Sequence, residues 1–265
     1  MKKITDSDLE LIQNYLHANI EECIYLYIDI RKYGIGHPEV TFWFTEKEGK
    51  PDTVLMKYYD SFQIFSANED WNLEETVELI KKFQVMTICG KRSMIEALSE
   101  KLNGYSVAYG VIVREGAYRE FKQFSSITKA VPKDAMKIAE LMCSDEEFNE
   151  NYEVDVLAKQ LEDRMREGVG RSYVLWEDEK IVAHIGVFAE DEEIAVDSGL
   201  IVDEAYKSKF YGMIIHEYLK KQLILEGKRV YGFRIKDSMK RCTKASGDNV
   251  CGEYGKMTWR NENEK

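Results

Sequence analysis

The chain has 265 residues, 44% of them apolar and 32% charged, with a formal net charge of −11. Such a length suits one large domain or two of ordinary size, and such a composition buries a real core, which excludes a disordered protein. The acidic balance excludes nucleic acid as a general partner, because neutralising phosphates supplies most of that affinity.

In chain order, Thr5 is placed to cap a first helix, with Asp8 at the capping-box position and Leu9, Ile12 and Leu16 as its apolar stripe. An apolar segment, Ile24 to Ile30, follows. Val40 to Phe44, Thr53 to Tyr59 and Ser61 to Phe65 read as strands, the first two joined by a turn at residues 46–50. Asn72 with Glu75 three residues on marks the start of a helix reaching Phe83. Val85 to Cys89 then reads as a strand, Arg92 to Leu102 as a helix and Tyr105 to Val113 as a strand.

The polar stretch Arg114 to Ser126 is the best boundary, placed near Phe124, so that residues 1–124 and 125–265 form two domains. Beyond it come a strand at Ile127 to Val131, a helix opened by Pro132, and a helix striped by Val154, Leu157, Leu161 and Met165 that stops at Gly168. Arg171 to Trp176, Lys180 to Ala189 and Ile194 to Val202 suit an antiparallel meander with charged turns. A helix from Tyr211, with Ile214, Ile215, Tyr218, Leu219 and Leu223 at helical spacing, ends at Gly227. A strand at Val230 to Ile235, a short helix at Asp237 to Ala245 and a strand at Val250 to Trp259 close the chain. The fold class is α/β (α+β), with similar element order in both halves and no residue-level repeat.

No apolar run approaches the roughly 18 residues that span a bilayer, and the start Met1-Lys2-Lys3-Ile4-Thr5 lacks a secretory apolar segment. A cytoplasmic protein with no membrane partner is expected. Cys23, Cys89, Cys143, Cys242 and Cys251 are scattered and form no CxxC pair, as buried reduced thiols would be. His17, His37, His184 and His216 show no metal-ligand spacing, so no metal is expected. Charge is uneven. From Ala205 to Arg260 there are 13 Lys+Arg against 5 Asp+Glu, a local +8, which leaves −19 elsewhere. An anion can dock on that segment, or a solvated basic face simply balances an acidic one.

The stretch Gly199-Leu200-Ile201-Val202 through Lys207-Ser208-Lys209-Phe210-Tyr211-Gly212 is an apolar strand that passes a charged turn and opens a helix. The first N–H groups of a helix have no intrahelical acceptor, so they can hold an anion such as a pyrophosphate, with Lys207 and Lys209 beside it. Here the chain resembles the GNAT superfamily of acyl-CoA N-acyltransferases, whose fourth strand ends in a Val followed five residues later by Arg/Gln-x-x-Gly-x-Gly/Ala. Val202 is followed at that spacing by Lys207, and Gly212 closes the motif.

The resemblance implies a GNAT-like mixed sheet flanked by helices over residues 125–265, preceded by an N-terminal unit without a CoA loop. It implies acetyl-CoA as co-substrate, the backbone of Gly199, Leu200, Ile201 and Val202 along the pantetheine arm, and the amides of Lys207 to Gly212 on the pyrophosphate. The sequence departs from the motif at Phe210, where the first Gly belongs, and at Thr243, where the family often has an acid Tyr four residues before a Gly. The N–H of Phe210 remains a donor unless the loop requires a positive φ.

An amine acceptor must lose a proton, and the groups available for that near the strand end are Asp197 first, then Ser198 and Glu253. Glu193 is a further carboxylate, His184 reads as a satisfied sheet histidine, and His216 as a residue on the long helix away from the loop. In the first half the loop Ser66-Ala67-Asn68-Glu69-Asp70-Trp71-Asn72 carries two carboxylates and no glycine, which repels anions. The expected activity is N-acetyl transfer to the amine of a small molecule or peptide. A non-catalytic GNAT-like binding protein is the second reading, and the many aromatics suit a homodimer or other oligomerising module as a third.

Overall fold

The computed structural model describes residues 1–83, 85–145, 149, 152–234 and 247–260. Two compact units divide between Val113 and Arg114, and the described residues from Val250 onward belong to the first.

The first unit contains β1 (Lys2–Lys3), α1 (Asp6–His17), α2 (Ile24–Tyr33), β2 (Val40–Lys47), β3 (Lys50–Tyr58) and β4 (Ser61–Ser66). These lead to α3 (Leu73–Ile80), β5 (Thr87–Lys91), α4 (Arg92–Ser99), β6 (Tyr105–Arg114) and the last strand, β12 (Asn249–Trp259). The caps sit where the sequence puts them. The Asp8 carboxylate accepts from the Thr5 N–H at 3.0 Å, and the Glu75 N–H donates to the Asn72 side chain at 3.3 Å. Within this unit the strands lie in the order β1-β2-β3-β4-β5-β12-β6. Neighbours β4 and β5 run parallel, while β12 pairs antiparallel with β5 from Tyr254↔Lys91 to Thr258↔Thr87. Phe62 and Phe65, among the aromatics of the first half, are fully buried core residues.

That pairing corrects the expected division at Phe124, which gave the final strand to the second domain. Gly255 lies opposite Gly90, and a Cβ on either would collide, at 2.5 Å from the Ile64 carbonyl oxygen for Gly90 and 2.7 Å from the Ile95 side chain for Gly255. The two glycines let β12 close on the first core, a contact between residues far apart in the chain. The stretch read as the boundary is itself fastened to the second unit, because the Glu115 N–H donates to the Val230 carbonyl at 2.8 Å and Phe124 packs edge-on against Tyr218.

The second unit holds β7 (Ile127–Lys129), a 3₁₀ turn at Pro132–Asp134 that runs into α5 (Ala135–Met142), and α6 (Val154–Glu167), which ends at left-handed Gly168. After these come β8 (Arg171–Glu177), β9 (Lys180–Glu190), β10 (Ile194–Val202), α7 (Tyr211–Leu225) and β11 (Arg229–Arg234). The order is β11-β10-β9-β8-β7, antiparallel from β7 to β10, with β10 and β11 parallel. One face buries Ile138, Leu157, Leu161 and Ile201 against α5 and α6, and the other buries Val187, Ala195, Ile215 and Leu219 against α7. The sequence-predicted helix at Asp237 to Ala245, and with it Thr243, lies outside the described residues. Among the described residues no helix is long and apolar enough to cross a membrane.

Candidate functional site

Strand β10 changes partners part-way along. Its parallel register with β11 runs from Ile194↔Arg229 to Asp197↔Gly232, yet β10 continues to Val202 beside β9. On the β9 side, Ser198 lies opposite Gly186 and Ile201 opposite His184, so Gly199 and Leu200 together face one residue, a bulge. Gly199 has φ +65°, and a Cβ there would press on His184, Met142 and Phe188, each at 3.3 Å. Only glycine fits that corner without strain.

His184 fixes the bulge. Its Nδ1 lies 2.7 Å from the Gly199 carbonyl and its Nε2 2.9 Å from the Ser172 hydroxyl. A carbonyl only accepts, so Nδ1 carries the hydrogen and the Ser172 hydroxyl donates to Nε2. Burial lowers the ring's pKa to about 4, which keeps it neutral, and this is the satisfied sheet histidine the sequence suggests.

Beyond Val202 the Asp203 carboxylate accepts from the Ala205 N–H at 3.0 Å and starts a 3₁₀ turn, Glu204–Lys209. Phe210 then adopts φ +61° and ψ 21° before α7 begins. The loop thus requires the left-handed conformation at the very position where the family motif has glycine. The positive φ does not remove the Phe210 N–H from the donor set, which corrects the condition set from the sequence: right-handed Lys209 followed by left-handed Phe210 presents successive N–H groups to one side, a concavity suited to an anion at the head of a long helix. Tyr211 is buried, its hydroxyl donating to Glu177, and Gly212 sits where a Cβ would come within 3.3 Å of the Val202 side chain, so the helix start lies close on the strand end.

A non-glycine residue in the left-handed region costs about 1–2 kcal/mol, and glycine returns part of this as greater freedom in the unfolded chain. Phe210, 70% exposed, has little packing to lose. Phe210→Gly is therefore expected to stabilise the fold by roughly 0.5–1 kcal/mol in urea unfolding. An unchanged or lower midpoint would mean that the ring has a role in the free protein.

Among the described residues of the C-terminal segment, the basic excess is not a bare cationic face. Lys207 pairs with Glu204 at 2.5 Å, Lys209 lies 3.7 Å from Glu177 and over the Tyr206 and Tyr211 rings, and Lys221 pairs with Glu120 at 2.7 Å. Ser208 is exposed beside them. An anion at this loop would be held by the helix start more than by net charge.

Asp197, the last β10 residue in register with β11, is 7% exposed. Its carboxylate lies 2.9 Å from His216 Nε2, and Glu115 Oε1 lies 3.4 Å from the same nitrogen. His216, read from the sequence as lying on the long helix away from the loop, stands one turn beyond Gly212 on the same α7 face and meets the carboxylate ranked first there. Burial alone would lower the His216 pKa, but the charge of Glu115 and the hydrogen bond to Asp197 outweigh it and raise it to about 9. Beyond Glu115 lies Lys220, 1% exposed, 3.5 Å from Glu115 and Glu217 and 3.7 Å from Asp248. Backbone donors complete the cluster, Gly116 N–H to Asp248 and Arg119 N–H to Glu217, both at 2.7 Å. The ligand atoms of Glu115, Asp197 and His216 all lie within 4.8 Å of one another.

Ser198 follows Asp197 into the unpaired stretch, half-buried, and Leu200 is exposed. Glu193 pairs with Arg229 at 3.4 Å at the other end of β10. Glu253 belongs to β12 of the first unit, where it is exposed and 3.6 Å from Arg92, so it is not part of the unit that holds Asp197. In the first unit the counterpart loop is filled from within. Buried Asp52 accepts from Asn68 at 2.7 Å, from Thr53 at 2.9 Å and from the Asn72 N–H at 3.2 Å, so a protein carboxylate takes the donors an anion would need.

The splayed strand and the helix-opening loop of the second unit are those that the GNAT resemblance implies. No family model matches the sequence, and no curated protein matches it. Solved structures do. A GNAT-family acetyltransferase from Colwellia psychrerythraea is 10% identical over 98% of this chain and 99% of its own, with a TM-score of 0.58. A tandem GNAT protein from the clavulanic acid biosynthesis pathway is 13% identical over 97% and 96%, at 0.59. A Drosophila protein reaches 0.67 at 11% identity over 98% of each chain. At these identities the likeness is one of fold.

Proposed function

We infer that the second unit is an N-acyltransferase that transfers an acetyl group from acetyl-CoA to the amine of a small molecule or peptide. The observation that carries this reading is the way β10 leaves β11 at Asp197 and runs, past the Gly199 bulge, straight into the left-handed turn at the head of α7. A pantetheine arm can lie along Ser198 to Val202 as an added strand, its amides meeting backbone groups beyond the β11 register. The pyrophosphate then falls at the N–H groups of Lys207 to Gly212. The carboxylate at the splay, Asp197, takes the proton that the amine must lose before it attacks the thioester.

Acetyl-CoA binding tests this directly. A ligand that binds only the folded state stabilises it by about 2.7 kcal/mol at a hundred times its Kd, so acetyl-CoA is expected to raise the melting temperature. Gly212→Asp should fold, since an acidic residue suits a first helical turn, but should lose the shift through repulsion of the phosphates. Gly212→Ala, which adds the Cβ without the charge, should keep most of it. Absence of any shift in the wild-type protein at millimolar acetyl-CoA would favour the non-catalytic binding protein instead.

A further inference from the structure

We propose that His216 is a positioning residue: its ring, held from behind by Glu115, fixes the Asp197 carboxylate at the point where β10 parts from β11, aimed at the acceptor amine. The proposal rests on the acyltransferase reading and names how its base is set.

Three chain segments meet at one nitrogen. Asp197 reaches His216 Nε2 at 2.9 Å from β10, and Glu115 reaches it at 3.4 Å from the segment after β6. Both carboxylates can only accept, so Nε2 carries a hydrogen, and the shorter contact directs it to Asp197. The side chains of Glu115 and Asp197 are 0% and 5% exposed and that of His216 is 17% exposed, so solvent screens the contact weakly. Glu115 is itself held. Its N–H donates to Val230, and its second carboxylate oxygen lies 3.5 Å from buried Lys220.

The ring sits one turn along α7 from Gly212, on the same face, where Gly212 meets Val202 and His216 meets Asp197. Helix α7 therefore ties both ends of the splayed stretch, and the loop that would hold the cofactor is in rigid register with the carboxylate that would meet the acceptor. Among the described residues the charged groups around the ring are Glu115, Asp197 and, one step further, Lys220, Glu217 and Asp248. A backing group that orients a base is the logic of nucleophile–base–orienter triads, built here from a different set of groups.

The experiment is a carbon-detected NMR titration of the Asp197 carboxyl in wild-type protein and in His216→Gln, whose amide can donate to Asp197 but carries no charge. Loss of a cation in contact should raise the Asp197 midpoint by at least about one pH unit, tenfold in its acid constant, while the Kd for acetyl-CoA stays within about threefold. An unchanged midpoint overturns the proposal. So does a raised midpoint accompanied by loss of acetyl-CoA affinity, because the ring then serves the cofactor loop. Should His216→Gln fail to fold, Glu115→Gln replaces it, with the His216 ring expected to titrate at least about one unit lower and acetyl-CoA again retained. Failure of the acyltransferase reading is read separately, as wild-type protein that binds no acetyl-CoA.

Discussion

Between about pH 6 and pH 10 the protein is expected to lose about 3 kcal/mol of folding stability through His216 alone. The ring's pKa is about 9 in the folded protein against the ordinary 6.5, because Glu115 and Asp197 more than offset its burial. A folded-state pKa above the unfolded value means that the folded protein binds the proton more tightly. The contribution is therefore fully present below about pH 6.5 and disappears as pH rises through 9. A difference of about 2.5 units at 1.36 kcal/mol each gives the magnitude. Chelator-treated protein should be used, so that the ring carries a proton and no cation. Urea midpoints of wild type and His216→Gln across that window isolate the term from lysines and tyrosines that titrate above it. Parallel curves for the two proteins would show that the imidazolium is not bound by the two carboxylates as described.

Helices, caps and the meander of this chain were legible because each depends on neighbours in sequence. Asn72 and Glu75 announce α3, Gly168 ends α6, and apolar spacing marks α7. The loop was legible for the same reason, since Val202 to Gly212 is one continuous stretch. What stayed hidden is non-local. Nothing in Val250 to Trp259 says that the strand pairs with Thr87 to Lys91, and Glu115, Asp197 and His216 stand too far apart for any spacing rule to join them. One signal was available for His216: it and Lys220 stand four residues apart on a helix whose residues Ile214, Ile215, Leu219 and Leu223 form the buried stripe, and polar groups beside such a stripe need partners. The Phe210 substitution misled in a different way. It reads as a broken motif, but the backbone at Phe210 takes the left-handed conformation that glycine favours, so the side chain departs from the motif while the conformation suits the motif's residue.

The two units show how one element order can be kept for different ends. In each, two antiparallel hairpin steps lead to a third strand, a helix and a strand parallel to the third. In the first unit the strand-to-helix loop closes on Asp52, and Glu75 at the head of α3 bonds the Asn72 side chain at 2.8 Å and pairs with the amino group of Met1. Its helix dipole already faces a carboxylate, which is the ligand an anion site would otherwise take from solution. In the second unit the helix start carries no acidic residue and its N-cap makes no side-chain hydrogen bond. On the acyltransferase reading this asymmetry favours the second unit as the cofactor-binding one, and a single equivalent of acetyl-CoA per chain is the stoichiometry to expect.

Replacing Asp197 by asparagine is expected to lower kcat by at least about tenfold once an acceptor is identified, a floor set below the about 10²- to 10⁴-fold usual for a general base. Asparagine keeps the size and can still accept from His216, so packing between β10 and α7 is retained and the missing property is the negative charge. The Kd for acetyl-CoA should not change, because Asp197 precedes the backbone stretch proposed to hold it. The loss should appear in kcat more than in the acceptor's KM, the pattern of an interaction realised in the transition state. It should shrink as pH rises toward the acceptor's own pKa, where free amine is supplied by solvent and the base is needed less. A variant with wild-type kcat and an unchanged pH–rate profile would leave Asp197 as a structural partner of His216, and the proton would then have to leave by water alone.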